Sequence, residues 1–391
     1  MDFLFQLFRS LIDRIDTTYV RYLHDEIDWR SRMISIVGAR GVGKTTLLLQ
    51  HIKLHHNLND TLYVSADNIY FSDNRLFDLA MEFQKLGGKY LFIDEVHKYP
   101  DWSKELKMMY DNLPGLKIVF TGSSVLDIFR GTDDLSRRVL TYNLAGLSFR
   151  EYLNISQGVS LPAFSLEDII ANRGVDLKLI VSHPLMHFRE YLEGGYYPFF
   201  NEPGYDERLR NVLNLTLETD IPTYANMNIA TARKLKQLLY IISQSVPFKP
   251  VFTKISNLIG VHRNQLADLF YYLEKAGIIS QLRESTKGIK LLGKVEKVFL
   301  NNTNLIYALA EEKPNIGNVR ETFFYNQMSV KNDVFSSDKA DFMIKDMTFE
   351  VGGKNKGQGQ IKGVENAHIV KDDIEYGQLN IIPLWAFGFN Y

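Results

Sequence analysis

The sequence predicts an α/β protein with a doubly wound parallel sheet, followed by helical segments and a small terminal α/β region. Three observations support this expectation. Short apolar runs alternate with helical periodicity from Met33 to Leu144, as in a parallel sheet covered by helices. The first run, Met33–Val37, leads through a glycine-rich turn into a helix. From about residue 147 the spacing is mainly helical. We expect a site at the carboxyl edge of the sheet.

Length, charge and cysteine content limit the classes of protein to which the chain can belong. The chain has 391 residues, enough for two or three domains. Its 45 basic and 46 acidic side chains give a formal charge of -1, which argues against a globally basic coat for nucleic acid. The chain has no cysteine, so it has neither a disulfide framework nor a cysteine-based zinc site.

The apolar start of the chain has two interpretations. Residues 1–12 lack the basic leader and the small-residue cleavage site of a signal peptide. Their apolar positions continue at helical spacing to Ile15, which favours an amphipathic helix packed on the core. No apolar run approaches the roughly 20 residues that span a bilayer. We therefore expect a cytoplasmic protein without a membrane partner.

The glycine-rich turn matches G-x-x-x-x-G-K-[ST], the phosphate-binding P-loop. In such a loop, glycines let successive N–H groups approach phosphate, and the following helix directs its N-terminus at the same anion. Lys44 is expected to reach the β- and γ-phosphates, and Thr45 to ligate Mg²⁺. The alternative is a turn that binds nothing, but the flanking strand and helix favour the P-loop. The predicted nucleotide-binding residues are Gly38, Ala39, Arg40, Gly41, Val42, Gly43, Lys44, Thr45 and Thr46.

A second apolar strand, residues 89–95, ends in two carboxylates. Asp94 is expected to hold Mg²⁺, and Glu95 to orient and polarise an attacking water. A further strand, residues 116–124, is expected to place its polar end beside Asp94. Of the two serines there, Ser123 is preferred as the hydroxyl that senses the γ-phosphate or the water. Together these residues predict the P-loop NTPase fold.

Four segments together resemble the archaeal-type AAA-like ATPases, relatives of the STAND switch NTPases. They are Gly38–Thr45, Leu91–Trp102, Thr121–Ser124 and the run Leu144–Leu153 with its Leu-Ser-Phe-Arg-Glu-Tyr-Leu motif. The resemblance covers essentially the whole chain and implies ATP as the nucleotide. The sequence has no Asn-Lys-x-Asp motif of the kind that reads guanine in GTPases.

The resemblance also implies a domain order. We expect an ATPase domain over residues 1–146, a helical lid or connector over 147–230, a winged helix over 231–300 and a nuclease-like α/β domain over 301–391. Three helices and a two-stranded wing are typical of a winged helix. Its third helix carries acids as well as bases, so a protein-contact or structural role stands beside DNA reading.

Arg137 and Arg138 follow the strand that carries Ser123. Related ATPases place near this point an arginine that reaches the γ-phosphate of a neighbouring subunit. The alternative is an exposed basic pair that leads into the last strand of the sheet.

The last hundred residues resemble the metal-binding core of PD-(D/E)xK-type nucleases. Glu321 on a helix and Asp341 and Glu350 on a hairpin match the acidic positions for a second metal site. The expected lysine position holds Gly352. A bulge at Gly352-Gly353 would bring Lys354 or Lys356 close to the acids, in the place of the expected lysine. The alternative is that this segment is a flexible basic loop. We therefore expect a nuclease-like fold without efficient cleavage.

The main functional hypothesis is an ATP-binding, ATP-hydrolysing switch that repositions its later domains. One alternative is an ATP-regulated DNA nuclease, and another is a DNA-binding regulator without cleavage. The expected cofactors are ATP and Mg²⁺. DNA, a protein partner and a homo-oligomer are the candidate macromolecular partners.

Overall fold

The computed structural model describes residues 1–122, 135, 137–171, 182–245, 247–285 and 294–391. The chain divides into two compact units, Met1–Gly146 and Leu147–Tyr391. The finer divisions expected within the second unit remain predictions.

The first unit is built on a five-stranded sheet in which every pairing is parallel. Its strands are β1 (Met33–Val37), β2 (Thr61–Ser65), β3 (Tyr90–Asp94), β4 (Lys117–Thr121) and β5 (Leu140–Asn143). The order across the sheet is β2-β3-β4-β1-β5. Strand β4 therefore lies between the P-loop strand β1 and strand β3, as the sequence predicts. The expected α/β doubly wound P-loop NTPase fold is confirmed.

Among the described residues of the first unit, four helices cover this sheet. They are α1 (Asp2–Arg14), α2 (Lys44–His55), α3 (Leu76–Lys85) and α4 (Trp102–Asn112). Helix α1 buries Leu4, Phe8 and Ile12, one turn apart, which gives the amphipathic helix that its spacing predicts. Short 3₁₀ turns occupy Tyr22–Asp25, Ile69–Ser72 and Val96–Lys98.

Most of the helices among the described residues lie in the second unit. They are α5 (Phe149–Gln157), α6 (Leu166–Ile170), α7 (Pro184–Gly194), α8 (Tyr205–Leu215), α9 (Ile221–Ala225), α10 (Ile229–Ser243), α11 (Phe252–Ile259), α12 (Arg263–Lys275), α13 (Thr303–Leu309) and α14 (Ile316–Met328). A π-helical turn, Thr216–Asp220, joins α8 to α9. Helix α5 begins with a capping box, in which Ser148 and Glu151 each accept a hydrogen bond from the other's backbone N–H.

Two sheets complete the second unit. Strands β6 (Ile279–Arg283) and β7 (Val295–Leu300) pair antiparallel after helices α10–α12. The larger sheet has the order β12-β11-β10-β9-β8 and mixes parallel with antiparallel pairs. Its strands are β8 (Val334–Ser336), β9 (Phe342–Ile344), β10 (Met347–Gly352), β11 (Ala367–Lys371) and β12 (Ile381–Pro383). A 3₁₀ segment, Leu384–Phe389, follows β12.

The spacing of apolar residues from Phe71 to Gly87 predicts one helix, but the helix begins at Leu76 and a 3₁₀ turn precedes it. The segment Phe71–Arg75 is rich in Asn, Asp and Ser, whose side chains compete for backbone hydrogen bonds. Among the described residues, no helix combines the length and apolarity needed to cross a bilayer.

Candidate functional site

The P-loop places glycine where the backbone needs it. Gly38 has φ 154°, and a Cβ atom built on it would lie 2.4 Å from the carbonyl oxygen of Leu144. Gly41 and Gly43 have φ 84° and 97°. The loop therefore takes a backbone path that residues with side chains rarely adopt.

Lys44 is the first residue of α2, and its side chain folds back over the loop. Its Nζ donates to the carbonyl oxygens of Gly38 at 2.8 Å and Ala39 at 2.9 Å. The residue is only 6% exposed. At the Ncap position, Gly43 has no side chain to cap the helix, so the first N–H groups of α2 point into the loop.

Asp94, at the end of β3, is the meeting point of three hydroxyl groups. Its Oδ2 accepts hydrogen bonds from Thr45 Oγ1 at 2.6 Å and from Tyr63 OH at 2.8 Å. Its Oδ1 accepts from Thr121 Oγ1. Burial and the nearby Asp94 raise the pKa of the Tyr63 phenol, which keeps this donor protonated. Asp94 itself is 3% exposed, so the carboxylate is held rigidly beside Thr45.

Glu95 leaves the strand in the left-handed conformation, with φ 52°. Its backbone N–H donates to Thr121 Oγ1 at 3.2 Å. Burial, followed by repulsion from Asp94, raises the pKa of the Glu95 carboxyl, whereas Arg40 and Lys44 act in the opposite direction. A strained backbone of this kind, held by neighbours, is common at functional sites.

Sequence reasoning missed three residues of this site. Thr121 was quoted only as part of a motif, and Tyr63 lies on a strand without a known signature. Arg21 donates to Val42 O at 2.6 Å and to the carbonyl oxygens of Ala145 and Gly146. The hydroxyl group of Thr121 at the end of β4 was the available signal, since carboxyl ends of parallel strands meet at one edge, whereas Tyr63 is the middle residue of β2.

Three further residues were predicted for the site: Ser123, Arg137 and Arg138. Ser123 lies outside the described residues. Arg137 is exposed. Arg138 is bound to Asp111 of α4 through two hydrogen bonds of 2.9 and 3.1 Å. Thus Arg137 and Arg138, adjacent in sequence, have different surroundings.

The described residues fit a nucleotide with Mg²⁺. The loop offers backbone N–H groups and the Lys44 ammonium, which suit phosphate oxygens. The Thr45 hydroxyl and the Asp94 carboxylate, 2.6 Å apart, are hard oxygen donors of the kind that Mg²⁺ prefers. Gly38 supports the same fit, because a side chain there would meet backbone rather than open space.

The acids predicted in the last hundred residues also lie together, in the second unit. Lys297 Nζ from β7 bonds to Glu321 Oε2 at 2.8 Å and to Asp341 Oδ1 at 3.2 Å. Lys356 pairs with Glu350, which is 1% exposed. Burial raises the pKa of Glu321 and of Glu350, and the nearby Asp341 raises both further. Lys356, rather than Lys354, reaches the acids.

Two family models match separate stretches of the chain. Residues 30–153 match the family model described as an AAA domain. Residues 185–315 match a domain of unknown function (DUF8612). The first match covers the P-loop, Asp94, Glu95 and the Leu-Ser-Phe-Arg-Glu-Tyr-Leu run.

An uncharacterised protein of Methanocaldococcus jannaschii is 26% identical over 288 residues, which are 69% of this chain and 60% of that relative. The chain therefore spans less than two thirds of this relative.

Solved structures with some likeness include the Hsp104-ADP complex of S. cerevisiae, PCH-2 of C. elegans and a katanin. The Hsp104 match has 15% identity, a TM-score of 0.29 and coverage of 69% of this chain and 39% of that one. The PCH-2 match has 16% identity, a TM-score of 0.26 and coverage of 70% and 66%. The katanin match has 12% identity, a TM-score of 0.26 and coverage of 40% and 58%.

At TM-scores this low, the assignment rests on the family match and on the geometry of the site. Over residues 30–153 the chain is therefore similar to AAA domains, and within that segment Lys44, Thr45 and Asp94 have the arrangement of a P-loop nucleotide site.

Proposed function

We propose that the protein binds and hydrolyses ATP and acts as a switch whose nucleotide state changes its second unit. The observation that carries the proposal is the hydrogen bond between Thr45 and Asp94. It joins the two oxygen donors that hold Mg²⁺ in P-loop proteins, although they are far apart in sequence.

Each residue then has a chemical task. Lys44 and the N-terminus of α2 bind and orient the phosphates. Glu95 accepts a proton from the attacking water, and its raised pKa makes it a better base than an exposed carboxylate. Thr121 holds Glu95 in place through the backbone N–H. Bound Mg²⁺ would supply charge neutralisation at the phosphate oxygens.

The test separates binding from hydrolysis. Lys44→Ala removes a charge-assisted contact, so we expect ATP affinity by calorimetry to fall at least tenfold. Glu95→Gln keeps the shape without the base, so ATP should still bind while turnover falls roughly a hundredfold or more. Lys53→Ala on the same helix and the exposed Glu82→Gln are matched controls. Parental turnover in Glu95→Gln would place the base elsewhere.

The switch has its own measurement. We expect hydrogen exchange in residues 147–391 to differ between Glu95→Gln with ATP and the parental protein with ADP. Identical exchange in both states would reject the switch while leaving ATP hydrolysis intact. Adding duplex or single-stranded DNA to the turnover assay tests the regulator hypothesis, since DNA that acts as a partner should change the rate.

The acids of the second unit support a second candidate, a nuclease-like fold with little or no cleavage. The Lys297 ammonium lies within 3.2 Å of both Glu321 and Asp341, where a divalent cation would have to bind. Burial alone would lower the pKa of Lys297, but Glu321 and Asp341 together raise it, so the ammonium form is favoured. A cavity of about 390 Å³ beside Lys297 is lined by both acids and bases. Such a lining does not resemble a basic channel for DNA.

Plasmid cleavage decides between the two views. With Mg²⁺ or Mn²⁺, with or without ATP, we expect no cutting above the level of Asp341→Ala and Glu350→Ala. The exposed Asp338→Ala is a control on the same cavity. Robust cutting that both acid substitutions abolish, but the control keeps, would establish an ATP-regulated DNA nuclease instead.

A further inference from the structure

A cluster of four histidines lies in the first unit, away from the residues of the nucleotide site. His51, His55 and His56 are at the end of α2, and His24 is in the 3₁₀ turn Tyr22–Asp25. With Trp29 and Tyr90 they line a cavity of about 300 Å³. The proposed ATP hydrolysis uses none of these residues.

The ring nitrogens are arranged in a chain. His24 Nε2 lies 3.1 Å from His51 Nδ1, and His51 Nε2 lies 3.2 Å from His56 Nε2. At the other end, His24 Nδ1 lies 3.0 Å from the Asp25 carboxylate. Asp25 therefore takes the proton of His24 Nδ1, which leaves the lone pair of His24 Nε2 directed at His51.

We propose that His24, His51 and His55 bind a divalent transition-metal ion of the Zn²⁺ class. One nitrogen from each of the three rings lies within 4.8 Å of the other two. Tetrahedral Zn²⁺ with bonds of about 2.0–2.1 Å needs nitrogens roughly 3.3 Å apart. The pair His24–His51 already meets this spacing. His55 is exposed, so a side-chain movement of about 1.5 Å completes the set.

The neighbouring side chains offer hydrogen-bond acceptors to two of the three proposed ligands. Ligating histidines almost always donate their other ring N–H to a carboxylate or another acceptor. Asp25 serves His24 in this way, and His56 serves His51. His51 is 4% exposed, and the ring of Trp29 stacks on it at 3.5 Å with an angle of 10°.

Two cationic side chains also line the cavity. Arg30 is held by Asp28, with its Nε 2.8 Å from the carboxylate. Lys117 Nζ lies 5.7 Å from the centre of the Tyr90 ring. These contacts hold both cations, and imidazole ligands remain the preferred donors for Zn²⁺ and Cu²⁺. The three proposed ligands leave a fourth position for water.

Calorimetry on the full chain, treated with chelator and dialysed, tests the site with Zn²⁺ alone. We expect one ion per chain with affinity that His55→Ala and His24→Ala each lower by at least tenfold. His262→Ala, an exposed histidine of the second unit, is the matched control and should bind as the parent does. Equal Zn²⁺ affinity in all four proteins, or no binding near 100 µM, would overturn the proposal.

Two further measurements guard against misfolding and chance capture. Asp25→Ala leaves all imidazoles in place and should still cost about 10–100-fold in affinity, because His24 loses its orienting acceptor. Co²⁺ should give the intense visible absorption of a tetrahedral ion in the parent and lose it in His55→Ala. An unchanged spectrum in His55→Ala, or unchanged affinity in Asp25→Ala, would exclude these residues as the built site. Neither readout depends on ATP turnover.

Discussion

Gly38 combines a backbone conformation and a close contact that together admit only glycine. Its φ of 154° is unfavourable for other residues, and a Cβ would collide with the carbonyl oxygen of Leu144. Leu144 follows β5, so the collision would push the first residue of the P-loop away from its neighbouring strand. At this position the nucleotide site and the packing of the sheet impose the same requirement.

The first prediction concerns this glycine. Gly38→Ala should destabilise the protein by about 1–3 kcal/mol more than Gly87→Ala, because only the former meets backbone atoms. Gly87 has φ 94° and nothing within 4 Å of the added Cβ. Gly87→Ala therefore measures the free-energy cost of the backbone conformation alone. Chemical denaturation measures the difference, and ATP titration should show weaker binding in Gly38→Ala alone. Equal stability of the two variants would contradict the packing argument.

Thr121 is the second residue-scale case. Its hydroxyl donates to Asp94 and accepts from the N–H of Glu95, so it fixes both acids. Thr121→Val keeps the shape and β-branching but removes the hydroxyl. We expect turnover to fall about tenfold or more while ATP affinity changes little, since Thr45 and Lys44 remain. Thr121→Ser should restore turnover, and failure to do so would assign the loss to packing.

At the scale of the elements, the segment just before β5 carries Arg137 and Arg138, the two candidates for an arginine finger. Arg138 is tied to Asp111 on α4, whereas Arg137 is exposed. If a finger acts in trans, specific activity must rise with protein concentration, and Arg137→Ala should lower turnover roughly a thousandfold. Arg138→Ala is the neighbouring control and should change stability by no more than about 1 kcal/mol. Concentration-independent activity in a confirmed monomer would exclude a finger.

The helices and strands also show how much of the secondary structure can be predicted from the sequence. Strand β1 has the bounds Met33–Val37 that its apolar run predicts, because burial and local propensity agree there. The short strands β8 and β11 were not predicted. Strands of three and five residues contain too few alternating apolar and polar positions to be recognised in the sequence. Pairing with neighbouring strands in the folded chain stabilises both of them.

The site follows the same rule. Lys44, Thr45, Asp94 and Glu95 are adjacent to strand ends with recognisable motifs, so the sequence identifies them. The contact of Tyr63 with Asp94 joins residues 31 positions apart. The histidine cluster brings together His24 and His51, which are 27 positions apart in the sequence, and no local sequence pattern predicts that contact. Lys356 was one of two candidates, and only the fold of the chain after β10 selects it.

At the scale of the whole chain, the Leu-Ser-Phe-Arg-Glu-Tyr-Leu run anchors the second unit. Ser148 Oγ and Arg150 Nε each donate to the main-chain oxygen of Tyr391 at 2.8 Å. Arg150 also donates to Leu161 O at 3.1 Å and is 9% exposed. The motif that carried the family resemblance therefore has a structural task within the second unit.

Removing this anchor should affect the second unit selectively. Arg150→Ala removes a buried charged donor that bonds to the oxygens of both Tyr391 and Leu161, so we expect a loss of about 2–4 kcal/mol in the unfolding free energy of the second unit. Hydrogen exchange should rise in α5 and in Leu384–Phe389. Arg189→Ala breaks only an exposed ion pair with Asp373 and should change stability by less than about 1 kcal/mol. Unchanged exchange in Arg150→Ala would show that the anchor is dispensable.

The same anchor has a consequence for synthesis on the ribosome. Ser148 and its acceptor are separated by 243 residues. At about 5–20 residues per second, roughly 10 to 50 s pass between their translation. The bonds of the first unit close by Gly146, so that unit can fold while the rest is still being made. The bonds of Ser148 and Arg150 to Tyr391 cannot form before the end of that interval, and until then this end of helix α5 is open to chaperones.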